Sequence, residues 1–359
     1  MSESAVSYEL VQINPTDLEL EKYRLCFEKN GTDRSIENLK WLHQQNLANT
    51  NLIYYAVANE SGEIAGIYTA LPNLLRLQNS VVPCLQSIDT LTDINHRGKG
   101  LFIKLAKQLY NKAIENKFEL VYGFPNGNSA PGFFKKLNWT SFDQVPYLIK
   151  PFRISYFIKK LLKKKTDVNI AESNQPVNGL EKLASVKGMQ LRPIDKFTHE
   201  YDALWEKAAK TFEVAIERDS KYMNWRYIAK PGEVYYRYGV YNTENVLQGI
   251  VVFALKNKHD GVIGYLMELI YDPAKPALGK SLLKTVSNIL RKNKADLVLA
   301  WCLPTSYNFN AYKNAGYFIL PDKVKPQDLF FGVRSLQGNN EIIEDLKNWY
   351  ISYSDSDTV

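Results

Sequence analysis

Two stretches of this 359-residue chain carry one pattern at a fixed separation. Tyr312 in AYKNAGY lies 178 positions after Phe134 in FFKKLNW, and the same offset sets Tyr317 on Trp139 and Leu283 on Leu105. Around each stretch, apolar spacing gives one order of elements: strand, helices, hairpin, strand, helix, strand, helix, strand. In the first half these fall at 6–13, 18–28 and 36–45, 52–58 with 64–70, 83–91, from 101, 118–124, to 137, and 139–150. A further extended piece covers 74–77. In the second half they fall at 189–194, 201–210 and 220–228, 234–241 with 246–255, 262–271, a helix marked by Leu278, Leu282, Val286, Ile289 and Leu290, 297–301, a helix to 314, and 317–320. A strand over 328–333 and a helix over 342–350 follow. A chain built this way is constrained to two α+β units of one type, each with a mixed sheet. The expected division is 1–150, a bridging segment and linker over 151–188, and 189–359.

The composition permits this. Hydrophobic content is 45% and charged content 23%, enough for a sizeable core. The formal charge of +7 favours anionic ligands, but spread over two domains it does not imply nucleic acid. Cys26, Cys84 and Cys302 are odd in number and far apart, so neither a disulfide framework nor a metal-ligand spacing is expected. The N-terminus lacks a basic region followed by an apolar one, and no apolar run reaches the roughly 18 residues of a membrane span. The expectation is a cytoplasmic protein. The segment 152–165, FRISYFIKKLLKKK, is apolar and basic together. A bridging helix with a solvated basic face is the plainer reading; weak attachment to an acidic surface is the other.

The chemistry-bearing stretch is PCLQSID-TLTDINHRGKG-LFIKLAKQ, from Pro83 to Gln108. An extended segment ends, Arg97-Gly98-Lys99-Gly100 turns, and a helix starts at Leu101, with Leu105, Leu109 and Ala113 on its buried face. Glycines let a backbone approach an anion, and the first N–H groups of a helix lack internal partners. A dinucleotide site would need a third glycine where Ile103 stands. A P-loop would need Lys-Ser or Lys-Thr after Gly100, where Leu101 stands.

With the following strand–turn–helix VYGFPNGNSAPGFFKKLNW, this stretch resembles the GNAT superfamily of acyl-CoA-dependent N-acyltransferases. The motifs cover Thr90 to Trp139, and the element order extends the resemblance to about residues 6–150. The resemblance implies two GNAT-like folds in tandem, acetyl-CoA as cosubstrate, no metal, and a small-molecule or peptidic amine as acceptor. At the 178-residue offset Gly98 and Gly100 become Pro276 and Leu278, so the second copy is degenerate. The resemblance gives the pyrophosphate to the backbone N–H groups of Arg97, Gly98, Lys99, Gly100, Leu101 and Phe102. It gives the pantetheine amides to Leu91 and Thr92, with Asn126 and Asn128 at the second motif. Lys99, Lys104, Lys135 and Lys136 could meet phosphates, though a solvated face explains lysines as well.

Acyl transfer to an amine needs proton removal, carbonyl polarisation and a stabilised leaving thiolate, with no covalent intermediate. Asp89, with Ser87 and Leu91 on one face of the strand, is the candidate base, and a backbone hydrogen bond is its plainer use. His96 beside Arg97 reads as a turn residue. The family's thiolate-protonating tyrosine corresponds to Phe134, which has no proton to give; Tyr122 or water could substitute. Trp225, Arg226 and Tyr227 read as core rather than a substrate pocket. Two rivals stand beside the enzyme: a non-catalytic acyl-CoA-binding module, and an aminoacyl transferase of the peptidoglycan-bridge type, against which the intact Gly98/Gly100 pair argues.

Overall fold

The computed structural model describes residues 6–356 except 49, 163–172, 181–184, 187, 322–324 and 326–328. In chain order the elements are β1 (Tyr8–Ile13), α1 (Asp17–Lys29), α2 (Ile36–His43), β2 (Leu52–Ala58), β3 (Ile64–Leu77), β4 (Ser80–Thr92), α3 (Leu101–Glu115), β5 (Leu120–Gly123), α4 (Ala130–Lys136), β6 (Thr140–Gln144), β7 (Tyr147–Pro151) and α5 (Ile154–Leu161). Then come β8 (Ser173–Asn174), β9 (Ser185–Val186), β10 (Met189–Pro193), α6 (His199–Ala209), β11 (Val214–Ile216), α7 (Ser220–Tyr227), β12 (Tyr236–Tyr241), β13 (Leu247–Lys258), β14 (Gly261–Tyr271), α8 (Pro276–Lys292), β15 (Leu297–Trp301), α9 (Phe309–Asn314), β16 (Phe318–Ile319) and β17 (Phe330–Ser335).

One compact unit comprises Met1–Asp143, Ala229–Gly232 and Leu329–Leu346. Its strands run in the order β1-β2-β3-β4-β5-β17-β6. β1 to β4 pair antiparallel, and β4 pairs parallel to β5. The sheet is covered on both faces, which is why β2 reads as an almost continuous apolar run. Leu52, Tyr54 and Ala56 face α3 through Leu101, Leu105, Leu109 and Ala113. Ile53 and Tyr55 face α1 and α2 through Leu20, Tyr23, Phe27 and Leu39. Burial of the α3 side chains holds that helix on the sheet, at about 1.5–3 kcal/mol per fully buried leucine.

The other unit comprises Gln144–Ile228, Glu233–Asp328 and Lys347–Val359. Its strands run β16-β7-β15-β14-β13-β12-β10-β9, with β8 beside β13. Here α8 supplies Leu278, Leu282, Val286 and Leu290 to the core, as α3 does in the first unit. Each unit thus holds a mixed sheet with one long helix packed on it by the same apolar spacing.

Four elements differ from the sequence reading. The extended piece at 74–77 is the end of β3, which runs to Leu77. The β segment over 139–150 is two strands: β6 stays in the first sheet, and β7 enters the second between β15 and β16. The strand expected over 328–333 is β17, and it lies in the first sheet between β5 and β6. Apolar alternation marks a strand but does not say which sheet it joins, because pairing partners are fixed by long-range contacts. Residues 342–350 do not form a helix: a single 3₁₀ turn covers Leu346–Asn348, and the chain then runs buried through Ser356. In the basic segment, Ile154 and Ile158 of α5 and Leu162 after it are exposed. Its lysines at 163–165 and most of the expected linker fall outside the described residues.

Candidate active site

The first sheet opens at one point. β4 and β5 pair at Leu85↔Val121, Gln86↔Tyr122 and Ser87↔Gly123, after which β5 ends and β4 continues to Thr92. A register shift in the β3–β4 ladder between Tyr68 and Ala70 sits beside this fork. Bulges of this kind bend a strand and end its pairing. The last ladder pair is close at Gly123, where a Cβ would stand 3.1 Å from the Ser87 carbonyl oxygen.

Two depressions meet at Thr90 and Leu91, which line both. The first, of about 500 Å³, occupies the fork and is walled by Phe27, Thr32, Arg34, Ser87–Leu91, Gly123–Asn126, Asn128, Ser129, Phe133 and Trp139. The second, of about 530 Å³, runs over the glycine turn and is walled by Thr92, Arg97, Gly98, Gly100, Leu101, Phe102, Ile103, Gly132 and Lys136. Each is of the size that takes a small molecule or part of one.

The glycine turn leads into a helix N-terminus that no side chain caps. Gly98 and Gly100 have φ of +77° and +71°, with open space where a Cβ would stand. Gly100 is the N-cap of α3 and, having no side chain, leaves the first N–H groups of a 15-residue helix uncapped. The first turn of α3 holds no acid, so the positive end of its dipole is not offset there. Behind the turn, the buried Asp93 carboxylate accepts from Asn95 N at 2.9 Å and Asn30 Nδ2 at 3.2 Å, with Lys29 Nζ at 3.2 Å. Burial alone would raise its pKa, but these partners together hold it below the usual carboxylate value.

At the fork, Asp89 is the single carboxylate on either wall, among the described residues. It is buried, with Oδ1 2.6 Å from Arg34 Nη2, and Oδ2 accepting from the Tyr23 hydroxyl at 2.7 Å and from Arg34 Nε at 3.4 Å. Burial and the Asp89 charge push Tyr23 well above its ordinary pKa, so its hydroxyl stays a donor. Behind it lies His43, which burial pushes down to about 4. Its Nε2 has no hydrogen-bond partner among the described residues. On the other wall, Ser87 Oγ lies 3.1 Å from the Tyr68 hydroxyl, which continues at 2.7 Å to Tyr110, and Trp139 Nε1 donates to Tyr110 at 3.0 Å.

Most residues expected from the sequence therefore come together. Leu91 lines both depressions; Thr92, Arg97, Gly98, Gly100, Leu101 and Phe102 line the second. Lys99 is exposed and off the wall, and of the four lysines considered only Lys136 reaches it. Asn126 and Asn128 line the first depression. The Asn126 Oδ1 accepts from the backbone N–H of Asn128 at 3.0 Å and Ser129 at 3.1 Å, shaping the turn into α4. Phe134 and Tyr122 line neither depression. Phe134 packs on Phe330 and over Gly332, and Tyr122 is buried against Phe124 and Phe331. His96 stacks edge-on against Tyr8 and bonds its hydroxyl at 3.0 Å. In the second unit Trp225, Arg226 and Tyr227 are buried core, and α8 begins at Pro276, so the positions matching Gly98 and Gly100 lie inside a helix.

Sequence reasoning missed Arg34, Tyr23, Phe27 and Thr32. Only Arg34 left a signal: Trp41 follows it by seven positions, and Trp225 follows Arg218 by the same spacing.

A family model described as an acetyltransferase (GNAT) domain matches residues 15–142, the stretch that holds both depressions. Over those residues the chain is similar to a GNAT acetyltransferase domain. Solved structures match nearly the whole chain. N-myristoyltransferase of Saccharomyces cerevisiae, solved with myristoyl-CoA and inhibitors, is 14% identical with a TM-score of 0.60, over 99% of this chain and 88% of that one. A GCN5-related N-acetyltransferase from Anabaena variabilis is 14% identical with a TM-score of 0.60, over 92% and 73%. A probable N-acyltransferase from Enterococcus faecalis is 12% identical with a TM-score of 0.58, over 92% and 73%. At such identities the likeness is one of fold, and it extends over both units. No curated protein sequence matches the chain. Among the described residues no group of His, Cys, Asp and Glu could hold a metal ion, and no helix is long and apolar enough to cross a membrane.

Proposed function

We propose that the first unit is an acyl-CoA-dependent N-acyltransferase that moves acetyl from acetyl-CoA to a primary amine in a ternary complex. The observation that carries this is the junction of two features: a fork between parallel strands opening onto a positive-φ glycine turn at an uncapped helix N-terminus. In this reading the N–H groups from Arg97 to Phe102 hold the pyrophosphate, with Arg97 and Lys136 beside it. The edge of β4 beyond Ser87, left without a β5 partner, pairs with the pantetheine amides as an added strand would. On this reading the thioester lies at the fork, next to Ser87 and Asp89.

The amine enters from the Arg34 side of the first depression. Its nitrogen forms the C–N bond as the C–S bond breaks, its proton passes to Asp89, and the departing sulfur leaves as a thiolate that accepts a hydrogen bond from the Ser87 hydroxyl and takes its proton from solvent. The Ser87–Tyr68–Tyr110 chain holds the serine hydroxyl in place. Tyr68, pushed up to about 12 by burial, remains protonated and able to donate. Holding amine and thioester together supplies much of the rate.

The test is incubation with acetyl-CoA and a panel of amines, reading free thiol against an enzyme-free control. Amine-dependent thiol release supports transfer. Tight acetyl-CoA binding with no release for any amine would favour a binding module. A series of acyl chain lengths sets the acyl preference; faster turnover with myristoyl-CoA than with acetyl-CoA would overturn the acetyl assignment.

A further inference from the structure

The fork between β4 and β5 is closed at its vertex by one indole. β5 ends at Gly123, whose ladder partner is Ser87, and a Cβ on that glycine would stand 3.4 Å from Cη2 of Trp139. Trp139 also lines the first depression, so its ring tip lies where the two strands part. A tight turn delivers it there: with Asn138 at a φ of +53°, the backbone N–H of Trp139 reaches back to the Phe133 carbonyl at 3.3 Å.

The indole is held on more than one side. Its Nε1 donates to the Tyr110 hydroxyl at 3.0 Å, and that hydroxyl lies 2.7 Å from the Tyr68 hydroxyl. Its ring packs on Phe133 with centroids 4.7 Å apart, and Phe133 packs in turn on Phe102 at 5.1 Å. Trp139 and Phe133 are each 4% exposed. Swinging the indole aside would leave its N–H unsatisfied in a closely packed interior, so the ring is a fixed wall rather than a gate.

We propose that Trp139 sets the length of the acyl group: the fork takes a short acyl chain, and the indole stops a longer one. This rests on the reading of the fork as the acyl-CoA site, with the thioester beside Ser87. A chain that grows from that point toward the vertex meets the indole. Growing the other way, it enters the end of the depression walled by Thr32, Arg34 and Asp89. There an alkyl chain would strip water from the Arg34–Asp89 ion pair and stand in the path of the amine. Acetyl, which ends in a single methyl group, does neither. Selection is steric on one side and polar on the other.

The experiment measures the dissociation constants of acetyl-, butyryl-, hexanoyl- and octanoyl-CoA by calorimetry, for the wild type, Trp139→Ala and Trp139→Phe. The wild type is expected to bind hexanoyl-CoA about tenfold or more weakly than acetyl-CoA, the usual penalty for forcing extra methylenes against a packed wall. In Trp139→Ala the ratio should swing toward hexanoyl-CoA by about tenfold or more, because each methylene taken into the vacated space is worth about fourfold. Trp139→Phe keeps a ring against Phe133 and should swing the ratio less, in the same direction; it carries the test if the alanine variant fails to fold. Wild-type protein that binds every acyl-CoA equally, or more tightly with each added carbon, overturns the proposal, while amine-dependent thiol release in that same protein leaves the acyltransferase reading standing. A ratio unchanged in a variant whose far-UV spectrum is intact also overturns it. A length limit that moves with the side chain at position 139, without thiol release for any amine, would keep the proposal and remove the acyltransferase reading. No binding of any acyl-CoA by the wild type would remove both.

Discussion

Asp89→Asn separates the structural use of this carboxylate from a chemical one. The substitution keeps shape and volume and removes the charge that faces Arg34 at 2.6 Å. Losing one partner of a fully buried pair costs about 3–5 kcal/mol. Here Arg34 is 33% exposed and water can take over part of the lost interaction, which brings the expected cost toward that of a screened pair, about 1–2 kcal/mol. The Tyr23 hydrogen bond survives, because asparagine can present its Oδ1 to the same hydroxyl. Urea denaturation should therefore show a shifted midpoint with an unchanged slope. Turnover should fall by about 10²-fold or more, the usual contribution of a positioned proton acceptor. Acetyl-CoA affinity should stay within about twofold, because the anion turn does not touch Asp89. Full turnover in the folded variant would refute the role of Asp89 as base. Loss of acetyl-CoA binding together with turnover would show that its role is to shape the fork.

Two further outcomes follow from buried groups. His43 titrates at about 4 in the folded chain and near 6.5 when unfolded, so the unfolded chain binds the proton first and stability falls as pH falls from about 6.5 to 4, by about 3 kcal/mol in all. His43→Asn should flatten the pH dependence of the denaturation midpoint over that window, and an unchanged dependence would assign it to another group. Tyr353 stacks on Trp301 at 4.6 Å and meets Tyr265 edge-on at 5.7 Å, so Tyr353→Ala should cost about 3–5 kcal/mol in calorimetric stability while acetyl-CoA binding in the first unit is unchanged.

How much the sequence disclosed depended on whether a feature was local. Gly98 and Gly100 were legible because positive φ selects glycine from the backbone alone, without regard to the rest of the fold. The repeat was legible because α3 and α8 must bury apolar faces at the same helical spacing. Asp89 was legible as a polar residue in an apolar strand that leads into the glycine turn. Arg34 was not, because one arginine before a helix cap has no pattern until its partner from β4 is brought alongside. The placement of β7 and β17 was hidden for the same reason. Tyr147–Pro151 and Phe330–Ser335 declare themselves strands by composition, but their neighbours lie far away in sequence. The segment after residue 342 misled because Ile342, Ile343, Leu346, Trp349 and Tyr350 are spaced as on a helix, yet Ile343, Trp349 and Tyr350 are buried along turns and irregular chain.

The central claim is that the glycine turn of the first unit holds the phosphates of an acyl-CoA. Calorimetric titration of acetyl-CoA into the wild type and into Gly98→Pro/Gly100→Leu tests it most directly, because that variant gives the turn the residues of the degenerate copy. Proline removes an N–H, and leucine at a φ of +71° is strained by about 1–2 kcal/mol. The predicted result is binding to the wild type and a loss of about 100-fold or more in the variant, with S-acetyl-pantetheine, which lacks the pyrophosphate, bound equally by both. Equal acetyl-CoA affinity in the two proteins would contradict it.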